Sequence, residues 1–322
     1  MMGTVVYQHG WGSPEVLEIA QRVAPRPGRN ELGIKQEAVG LNHLDLLFRR
    51  GPFRPPSDPF VNGFEGAGVV TAVGSGAESF QVGDRVGYFS ASGAYAAERT
   101  VSTSDVVRLP AATSSLRAAA LMTKGLTARM ALRQAYQVQS GDVIIVTGAT
   151  GAIGSILTLW CTSLGAKVVA VVGSAAKAEQ AVANGAVATV VNGTSIKAVV
   201  DSVTLGGGAD AALDGVGGDQ VSALIPAVRR GGYIVSYGNA AGRANPDRVE
   251  LERRAISFDD PPLSKYLHGQ EEAQRAVDDI FRADDHGVFA ALPVRELELT
   301  EIRRAHADLE ERRILGVTVL TT

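Results

Sequence analysis

Seven residues near the middle of the chain combine a glycine spacing with a position that suits phosphate binding. They are Gly148-Ala149-Thr150-Gly151-Ala152-Ile153-Gly154. They follow an apolar run ending at Thr147 and open the apolar helical stretch 155–164. A strand, a tight glycine turn and a helix N-terminus present backbone N–H groups and the positive end of the helix dipole to a pyrophosphate. We therefore predict that these seven residues bind a dinucleotide; a glycine turn serving only close helix packing is the alternative.

The match to the dinucleotide fingerprint G-x-G-x-x-G is incomplete. Ala149 occupies the first glycine position, whereas Gly151 and Gly154 occupy the other two. The pattern alone is weak, and the complete strand–helix–strand unit that follows it strengthens the prediction.

The end of the next strand bears on which dinucleotide binds. An NAD site usually carries an acidic residue there for the ribose 2′-hydroxyl. This chain has Gly173-Ser174 instead, with Lys177 one helical turn later. The Gly173 N–H, the Ser174 hydroxyl and the Lys177 ammonium would attract a 2′-phosphate, which a carboxylate would repel. We predict NADPH; a solvated helix lysine is the alternative for Lys177.

Two later strand ends also carry glycines. They read Gly215-Val216-Gly217-Gly218 and Tyr237-Gly238-Asn239. Ligands of parallel sheets bind at the carboxyl ends of the strands. We expect Val216, Tyr237, Gly238 and Asn239 to contact the nicotinamide half, although ordinary turns would look the same.

The elements that must position these residues follow from the hydrophobic pattern. Apolar runs alternate with helical stretches at 142–147, 167–172, 188–191, 209–213, 232–236 and 255–258. That alternation predicts a parallel sheet wrapped by helices. The first 108 residues instead hold short β-type runs between Gly, Pro and Asp turns, which predicts an antiparallel β domain. Helical stretches over 271–282 and 300–312 and a last strand over 316–320 complete the chain, and that strand is expected to return to the first domain.

Composition narrows the class of protein further. The 322 residues include 31 basic and 34 acidic side chains, a net charge of −3, without a Lys/Arg run. Binding to nucleic acid or an anionic membrane is therefore not expected. The single cysteine, Cys161, excludes an internal disulfide, and its apolar helix predicts a buried, inert thiol. No secretory or membrane-spanning pattern is visible, so we expect a cytoplasmic protein.

Several motifs elsewhere in the chain occur together in one known family. They are Val39-Gly40-Leu41-Asn42-His43-Leu44-Asp45, Arg49-Arg50-Gly51, Gly63-Phe64-Glu65-Gly66-Ala67-Gly68-Val69-Val70, Val82-Gly83-Asp84-Arg85-Val86, Gly93-Ala94-Tyr95-Ala96, Lys124-Gly125-Leu126-Thr127 and Ser236-Tyr237-Gly238-Asn239. With these motifs the whole chain resembles the zinc-free, zeta-crystallin-like quinone oxidoreductases of the medium-chain dehydrogenase/reductase superfamily.

The resemblance implies an α/β fold with two domains. A GroES-like β domain would comprise residues 1–120 and 261–322, and a Rossmann domain with a doubly wound parallel sheet would comprise residues 121–260. It also implies a homodimer formed through the last Rossmann strand, near 255–258, and a reaction in the cleft between the domains.

The zinc ligands of related dehydrogenases are absent. Those relatives carry Cys where this chain has Asn42 and His where it has Phe64. The five histidines, His9, His43, His268, His286 and His306, have no metal-ligand spacing. A catalytic zinc needs three protein ligands around an open position, so we expect no metal.

By resemblance, Asn42, Lys124 and Thr127 are the catalytic candidates. Asn42 would donate an amide hydrogen to a substrate carbonyl, Thr127 would bind the carboxamide, and Lys124 would supply a cation, with Lys124 and Thr127 at the start of a helix. The alternatives are that Asn42 only forms a turn, that Thr127 is a helix surface residue and that Lys124 is a solvated lysine at a helix N-terminus. His43 is a weaker candidate for proton donor. Asp45, Arg49 and Glu65 are expected to be structural.

Departures from the family concern the substrate and phosphate sites. Leu47 and Phe53 replace tyrosines of some relatives, so Leu47, Phe53, Phe64 and Pro262 are expected to line an apolar substrate pocket. The predicted cofactor residue Asn192 is followed by Gly193 rather than a phosphate-binding tyrosine, and Asp260 replaces an arginine. Arg312 matches an arginine that approaches the 2′-phosphate in relatives.

The predicted function is hydride transfer from NADPH to a quinone or an α,β-unsaturated carbonyl compound, both small molecules. Two alternatives stay open. A non-catalytic NADPH-binding redox sensor would bind NADPH without turnover, and a tailoring enoyl reductase of secondary metabolism would prefer a bulky enone.

Overall fold

The computed structural model describes residues 2–191 and 193–322. The strands are β1 (Met2–Gln8), β2 (Leu17–Val23), β3 (Glu31–Gly40), β4 (Phe60–Val61), β5 (Glu65–Val73), β6 (Arg85–Phe89), β7 (Glu98–Ser102), β8 (Val106–Arg108), β9 (Val143–Thr147), β10 (Lys167–Val172), β11 (Ala188–Val191), β12 (Ala209–Asp214), β13 (Val228–Ser236), β14 (Ser257–Asp259), β15 (Val294–Glu298) and β16 (Val317–Thr321). The α-helices are α1 (His43–Arg50), α2 (Ser115–Arg129), α3 (Ala152–Ser163), α4 (Ala175–Ala183), α5 (Ile196–Thr204), α6 (Arg248–Arg253), α7 (Gln270–Asp285) and α8 (Ile302–Glu310).

The chain divides into two compact units. Unit 1 contains the described residues of Met1–Thr123 together with Gly269–Phe281 and Val294–Thr322. Unit 2 contains the described residues of Lys124–His268 together with Arg282–Pro293. The predicted domain boundaries near 120 and 260 stay a prediction.

Unit 1 is built mainly from antiparallel strands. Its larger sheet has the order β15-β16-β3-β5-β6-β8, with β7 also paired to β3, and a smaller sheet has the order β2-β1-β4. The last strand, β16, pairs antiparallel with β3, with Leu320 opposite Val39. The C-terminus therefore returns to the first part of the chain, and side chains such as Ile34, Val70 and Val86 form a buried core.

Helix α1 follows β3 directly and carries several predicted site residues. Asn42 precedes the helix in an extended conformation, and its backbone N–H donates to Asp45 Oδ2 at 2.8 Å. This carboxylate satisfies one of the N–H groups left over at the helix start. Gly51 ends the helix in a left-handed conformation with φ of +105°.

Unit 2 contains a six-stranded parallel sheet in the order β11-β10-β9-β12-β13-β14. Strand β9 is buried along its whole length, which explains its continuously apolar sequence. The chain proceeds from β9 outward to β11 and then crosses back to β12, so the strand order reverses between β9 and β12. The predicted fold class, a GroES-like β domain with a Rossmann domain, is confirmed.

Two local expectations need correction. Lys124 and Thr127 do not begin a helix, because α2 already starts at Ser115. Ala118, Ala119 and Ala120 are strong helix formers and extend the helix toward its N-terminus. The last Rossmann strand begins at Ser257 rather than 255, since Ala255 adopts a left-handed φ of +54° that an extended strand cannot contain.

Over residues 2–191 and 193–322, no helix is long and apolar enough to cross a membrane.

Candidate functional site

The glycine turn joins the carboxyl end of β9 to the start of α3. Gly148 has a φ of +59°, and its carbonyl accepts the Gly151 N–H at 2.9 Å. A Cβ on Gly154 would collide with the Gly148 carbonyl, so only glycine lets the helix approach this closely. The first N–H groups of α3 have no acceptor inside the helix, as at any helix start. The turn therefore offers the donors that a pyrophosphate needs.

Two residues inside this turn are hidden from solvent. Ala149 is fully buried, and its N–H donates to the Val171 carbonyl of β10 at 3.3 Å. Thr150 is buried as well. Ala149 thus fits without clash at the position where the fingerprint has glycine, while Ala152 and Ile153 form the first helical turn.

The end of β10 is open. Gly173 is exposed, and a Cβ built there meets no atom of the described residues within 4 Å. Ser174 begins α4, and across the same described residues its hydroxyl makes no capping bond to the helix. Lys177 follows in the first turn of α4, where its N–H donates to the Ser174 carbonyl at 3.1 Å. The predicted residue Asn192 lies outside the described residues, and Gly193 after it has a φ of +92°.

The loops after β12 and β13 pack on each other. The Tyr237 N–H donates to the Asp214 carbonyl at 2.9 Å, and the Ala241 N–H donates to the Val216 carbonyl at 2.8 Å. A Cβ on Gly148 would lie 3.8 Å from Val216 Cγ2. Val216 therefore lies beside the glycine turn, and Tyr237 and Gly238 lie against the loop after β12 that carries it. Asn239 lies in the same loop and is exposed, with its carbonyl accepting the Gly242 N–H at 3.0 Å.

Tyr237 carries a polar atom that is left unsatisfied. Its Oη is buried and has no hydrogen-bond partner among the described residues. Burial raises the pKa of Tyr237, and the nearby charge of Asp214 raises it further. The group is thus a neutral O–H donor next to Gly215, and a bound ligand could accept its hydrogen.

Lys124 lies inside α2 and is only 2% exposed. The alternative of a solvated N-terminal lysine is therefore wrong. Thr127, one turn later on the same helix, is half-buried.

Asn42 in unit 1 uses both amide hydrogens within the protein. Its Nδ2 donates to the Gly40 carbonyl at 3.1 Å and to Glu65 Oε2 at 2.9 Å. Glu65 is fully buried, and its Oε1 accepts the Thr123 N–H at 2.7 Å. A carbonyl and a carboxylate only accept hydrogen bonds, so the orientation of the amide is fixed. As found, the amide has no hydrogen left for a substrate carbonyl, in contrast to the donor role predicted for it.

A buried chain of hydrogen bonds reaches α1 from α8. Arg49 Nε donates to His306 Nδ1 at 3.2 Å, His306 Nε2 lies 2.9 Å from Tyr95 Oη, and Tyr95 Oη donates to Asp45 Oδ2 at 2.8 Å. Burial, and secondarily Arg49, lowers the pKa of His306 to about 3. The ring is therefore neutral, with its hydrogen on Nε2, because Nδ1 already accepts from Arg49. Arg49 also pairs with Glu310.

His43 lies next to Asn42 in a basic environment. Burial lowers the pKa of His43, and the guanidinium groups of Arg312 and Arg50 lower it further. A neutral imidazole is a poorer proton donor than an imidazolium, so the lowered pKa disfavours His43 as the acid. Arg312 itself is exposed, directly after α8, and has a left-handed φ of +57°.

The aromatic residues of unit 1 form one cluster. Phe48 has its ring centroid 5.5 Å from Phe53, 5.8 Å from Phe60 and 4.7 Å from Phe64. Phe53 is 42% exposed, so the cluster presents an aromatic edge to solvent. Leu47 on α1 is half-buried. Pro262 belongs to unit 2, where it is exposed and precedes a 3-10 turn over Leu263–Tyr266.

The acidic residues before Pro261 in unit 2 are paired. Lys265 Nζ lies 3.0 Å from Asp259 Oδ2, and Arg243 Nε lies 3.0 Å from Asp260 Oδ2. The aspartate that stands where relatives have an arginine thus has a guanidinium beside it, from the loop after β13.

Cys161 is fully buried in α3, and burial raises the pKa of its thiol to about 12. This matches the inert thiol expected from the sequence. Among the residues that the structure describes, no group of three or more His, Cys, Asp or Glu side chains could hold a metal ion.

Comparison with known proteins gives two family matches. Residues 28–111 match the family described as alcohol dehydrogenase GroES-like domain, and residues 152–279 match zinc-binding dehydrogenase. Quinone oxidoreductase of Salmonella typhimurium is 34% identical, with 99% of each chain covered. A crystal structure of Escherichia coli quinone oxidoreductase complexed with NADPH superimposes with a TM-score of 0.93 at 32% identity, covering 99% of this chain and 100% of that one. The 2-haloacrylate reductase of a Burkholderia species is 32% identical over 99% of this chain and 98% of its own.

Together these define a two-unit oxidoreductase of the medium-chain dehydrogenase/reductase superfamily. The chain belongs to its quinone oxidoreductase family, and the family predicted from the sequence is confirmed.

Sequence reasoning missed several residues of the site. Tyr95 and His306 lie within the hydrogen-bonded chain, yet 211 positions separate them. Arg243 carried no signal at all. Asp214 belongs to the strand end before Gly215 that the sequence singled out, but no role was predicted for it.

Proposed function

We propose that the protein is an NADPH-dependent oxidoreductase that transfers a hydride to a quinone or an α,β-unsaturated carbonyl compound. The observation that carries the proposal is the glycine turn between β9 and α3, next to a β10 end that has Gly173 and Ser174 in place of an acid. When bound, NADPH supplies the hydride from C4 of its nicotinamide.

The residues present fit this cofactor. The Gly148–Gly154 turn would bind the pyrophosphate, and Ser174 with Lys177 would bind the 2′-phosphate, since the Ser174 hydroxyl makes no capping bond among the described residues. Arg312 would add a second cation, and Asn192 remains a candidate contact by resemblance. The unsatisfied Tyr237 hydroxyl supports a ligand next to Gly215.

Asn42, Lys124 and Thr127 remain the proposed residues for the reaction. Asn42, anchored by Glu65, would shape the substrate site with its carbonyl oxygen rather than donate a hydrogen. Lys124 and Thr127 lie one turn apart on α2 and would contact the cofactor or substrate.

Proton delivery is proposed to come from solvent. The pKa values of both His43 and His306 are lowered, which favours the neutral imidazole over the imidazolium form that would act as an acid. Quinone reduction tolerates this, because the hydroquinone product needs no specially positioned acid. An enone needs carbon protonation, which makes a quinone the better-supported acceptor.

An apolar aromatic acceptor suits the predicted pocket residues. Leu47 and Phe64 are half-buried, and Phe53 presents part of its ring to solvent. One relative is named 2-haloacrylate reductase, and a haloacrylate is an activated alkene. We therefore propose an activated alkene as the second acceptor class.

We further propose a homodimer formed through β14 and a cytoplasmic location. Strand β14 is one of the two edge strands of the unit 2 sheet, with β11 at the other edge, and an edge strand has backbone groups available for pairing with a second copy. Sedimentation should give twice the chain mass of 33.6 kDa. A mass of one chain at micromolar concentration would refute the dimer.

The acceptor class can be tested by turnover with NADPH deuterated at the transferred position. Reduction of an enone leaves deuterium on carbon in the product, whereas a hydroquinone carries its new hydrogens on oxygen and loses the label to water. The mass of the product therefore separates the two acceptor classes, and absence of both products would refute the proposal.

A further inference from the structure

Asp214 is a buried carboxylate at the carboxyl end of β12. Its side chain is 1% exposed, and it accepts four hydrogen bonds. Oδ1 accepts from the Thr147 hydroxyl at 2.6 Å and from the Val216 N–H at 3.1 Å. Oδ2 accepts from the Ser236 hydroxyl at 2.9 Å and from the Gly217 N–H at 3.0 Å. Hydrogen bonds of this kind, to an ionised acceptor, are the strong ones.

These four donors come from three neighbouring strand ends. Thr147 is the last residue of β9, Ser236 is the last residue of β13, and Val216 and Gly217 belong to the loop after β12. Thr147 Oγ1 also accepts the Gly215 N–H at 2.9 Å. One carboxylate thus ties the start of the glycine turn to the two loops that follow β12 and β13.

The two loops are then joined to each other through their backbones. The Gly218 N–H donates to the Gly242 carbonyl at 2.9 Å, and the Asn245 N–H donates to the Gly218 carbonyl at 3.1 Å. Gly217 and Gly218 have φ values of +72° and +61°. A Cβ on Gly217 would collide with the Gly242 carbonyl. The loops after β12 and β13 are therefore closely packed on each other, and Asp214 holds the first residues of both.

The sheet order indicates which half of the dinucleotide these loops would face. A dinucleotide lies across the point where the strand order reverses, here between β9 and β12. Its pyrophosphate lies at the turn after the first strand, and its adenosine half lies at the end of the next strand, β10. The nicotinamide half would then lie over the ends of β12 and β13.

We propose that Asp214 is a positioning residue for the nicotinamide half of the cofactor. It acts through the two loops and does not touch the cofactor. The proposal rests on the NADPH binding of the proposed function and needs no knowledge of the acceptor.

Fragment binding tests the proposal. Asp214→Asn keeps the size of the side chain but turns an amide N–H₂ toward donors that include a backbone N–H. Calorimetry on the full chain would compare NADPH with 2′,5′-ADP, which lacks the nicotinamide half. We expect the Kd for NADPH to rise about tenfold and the Kd for 2′,5′-ADP to change less than about twofold.

Asp210→Asn is the matched control. Asp210 lies at the other end of the same strand, where Oδ2 accepts the Val143 N–H of β9 at 2.8 Å and Oδ1 accepts from Arg229 Nε at 2.8 Å. Asp210 links β9 and β13 away from their carboxyl ends. The ratio of the Kd for NADPH to the Kd for 2′,5′-ADP should therefore stay at the wild-type value.

A second pair keeps the test informative if Asp214→Asn does not fold. Thr147→Val removes the hydroxyl at constant shape, whereas Thr147→Ser retains it. Thr147→Val should weaken NADPH selectively, and Thr147→Ser should not. Equal weakening of both ligands, or unchanged NADPH affinity, would overturn the proposal. Failure of the wild-type chain to bind NADPH would instead refute the proposed function.

Discussion

The Tyr95 hydroxyl lies 2.9 Å from His306 Nε2 and 2.8 Å from Asp45 Oδ2, deep in unit 1. Because Asp45 accepts the tyrosine hydrogen, Tyr95 Oη must accept from His306, and the imidazole is held as its Nε2–H tautomer. A neutral histidine of α8 is therefore hydrogen-bonded to Arg49 of α1 and, through Tyr95, to Asp45 of the same helix.

The first prediction concerns acid stability. Burial, and then Arg49, lowers the pKa of His306 to about 3, against about 6.5 in an unfolded chain. The unfolded state binds this proton first, so the free energy of unfolding falls as the pH drops from about 6.5 toward 3. At about pH 5 the cost from this one residue is about 2 kcal/mol.

His306→Gln tests this assignment, since glutamine does not titrate. Urea unfolding at about pH 7.5 and pH 5 should show a difference between the two pH values that is smaller in the variant by about 2 kcal/mol. An equal pH dependence in both proteins would show that His306 does not titrate as described. His9→Gln is the control, because His9 is exposed in its pair with Glu18.

The second prediction concerns the anchor of Asn42. Glu65→Gln leaves one acceptor oxygen for two donors, the Asn42 amide and the Thr123 N–H. We expect the free energy of unfolding to fall by about 1–3 kcal/mol, measured in urea. Glu31→Gln is the matched control. Its Oε2 accepts the Gly28 N–H at an exposed site, so a change within about 0.5 kcal/mol is expected. A similar loss of unfolding free energy in both variants would show that burial of Glu65 is not the cause of the loss.

The third prediction uses the unsatisfied Tyr237 hydroxyl. Tyr237→Phe removes a buried donor that has no partner among the described residues, so thermal stability without cofactor should stay the same or rise. NADPH affinity should fall severalfold if the cofactor satisfies this hydroxyl. In Tyr136→Phe the removed hydroxyl donates to Asp142 Oδ2 at 2.9 Å, so stability should fall by about 1 kcal/mol with NADPH affinity unchanged. A stability loss in Tyr237→Phe would show that its hydroxyl already has a partner.

The fourth prediction concerns cofactor choice. If both residues bind the 2′-phosphate as proposed, replacing Lys177 and Arg312 by alanine should raise the Kd for NADPH about tenfold or more and should leave the Kd for NADH within about twofold. Fluorescence titration measures both. Lys167→Ala, at the opposite end of β10, is the control and should change neither value. Unchanged affinity for both cofactors in the double variant would show that the 2′-phosphate lies elsewhere.

Local sequence patterns predicted the parallel sheet of unit 2 well. Strands such as β10 and β11 have the bounds that their apolar runs predict. Helices cover both faces of a parallel sheet, so its strands are continuously apolar and can be read directly from the sequence. The glycine turn was also predictable from local sequence. Gly148 has a positive φ, and Gly154 lies too close to the Gly148 carbonyl for a side chain.

Contacts between distant residues were not predictable in the same way. The partners of the Asn42 side-chain amide are Gly40 and Glu65, and the second of these depends on the pairing of β5 with β3. A donor role for Asn42 looked reasonable from its residue type alone, but the buried carboxylate takes its hydrogen. The start of α2 at Ser115 was missed: it was predicted near Lys124, although the alanine-rich stretch before Lys124 is already helical.

The most direct test of the account is NADPH oxidation by the purified protein, followed by absorbance with a panel of quinones and enones. The best acceptor is then repeated with NADH. We predict rapid turnover with a quinone and a higher kcat/KM with NADPH than with NADH. Binding of NADPH without turnover of any acceptor would contradict this prediction and favour a redox sensor.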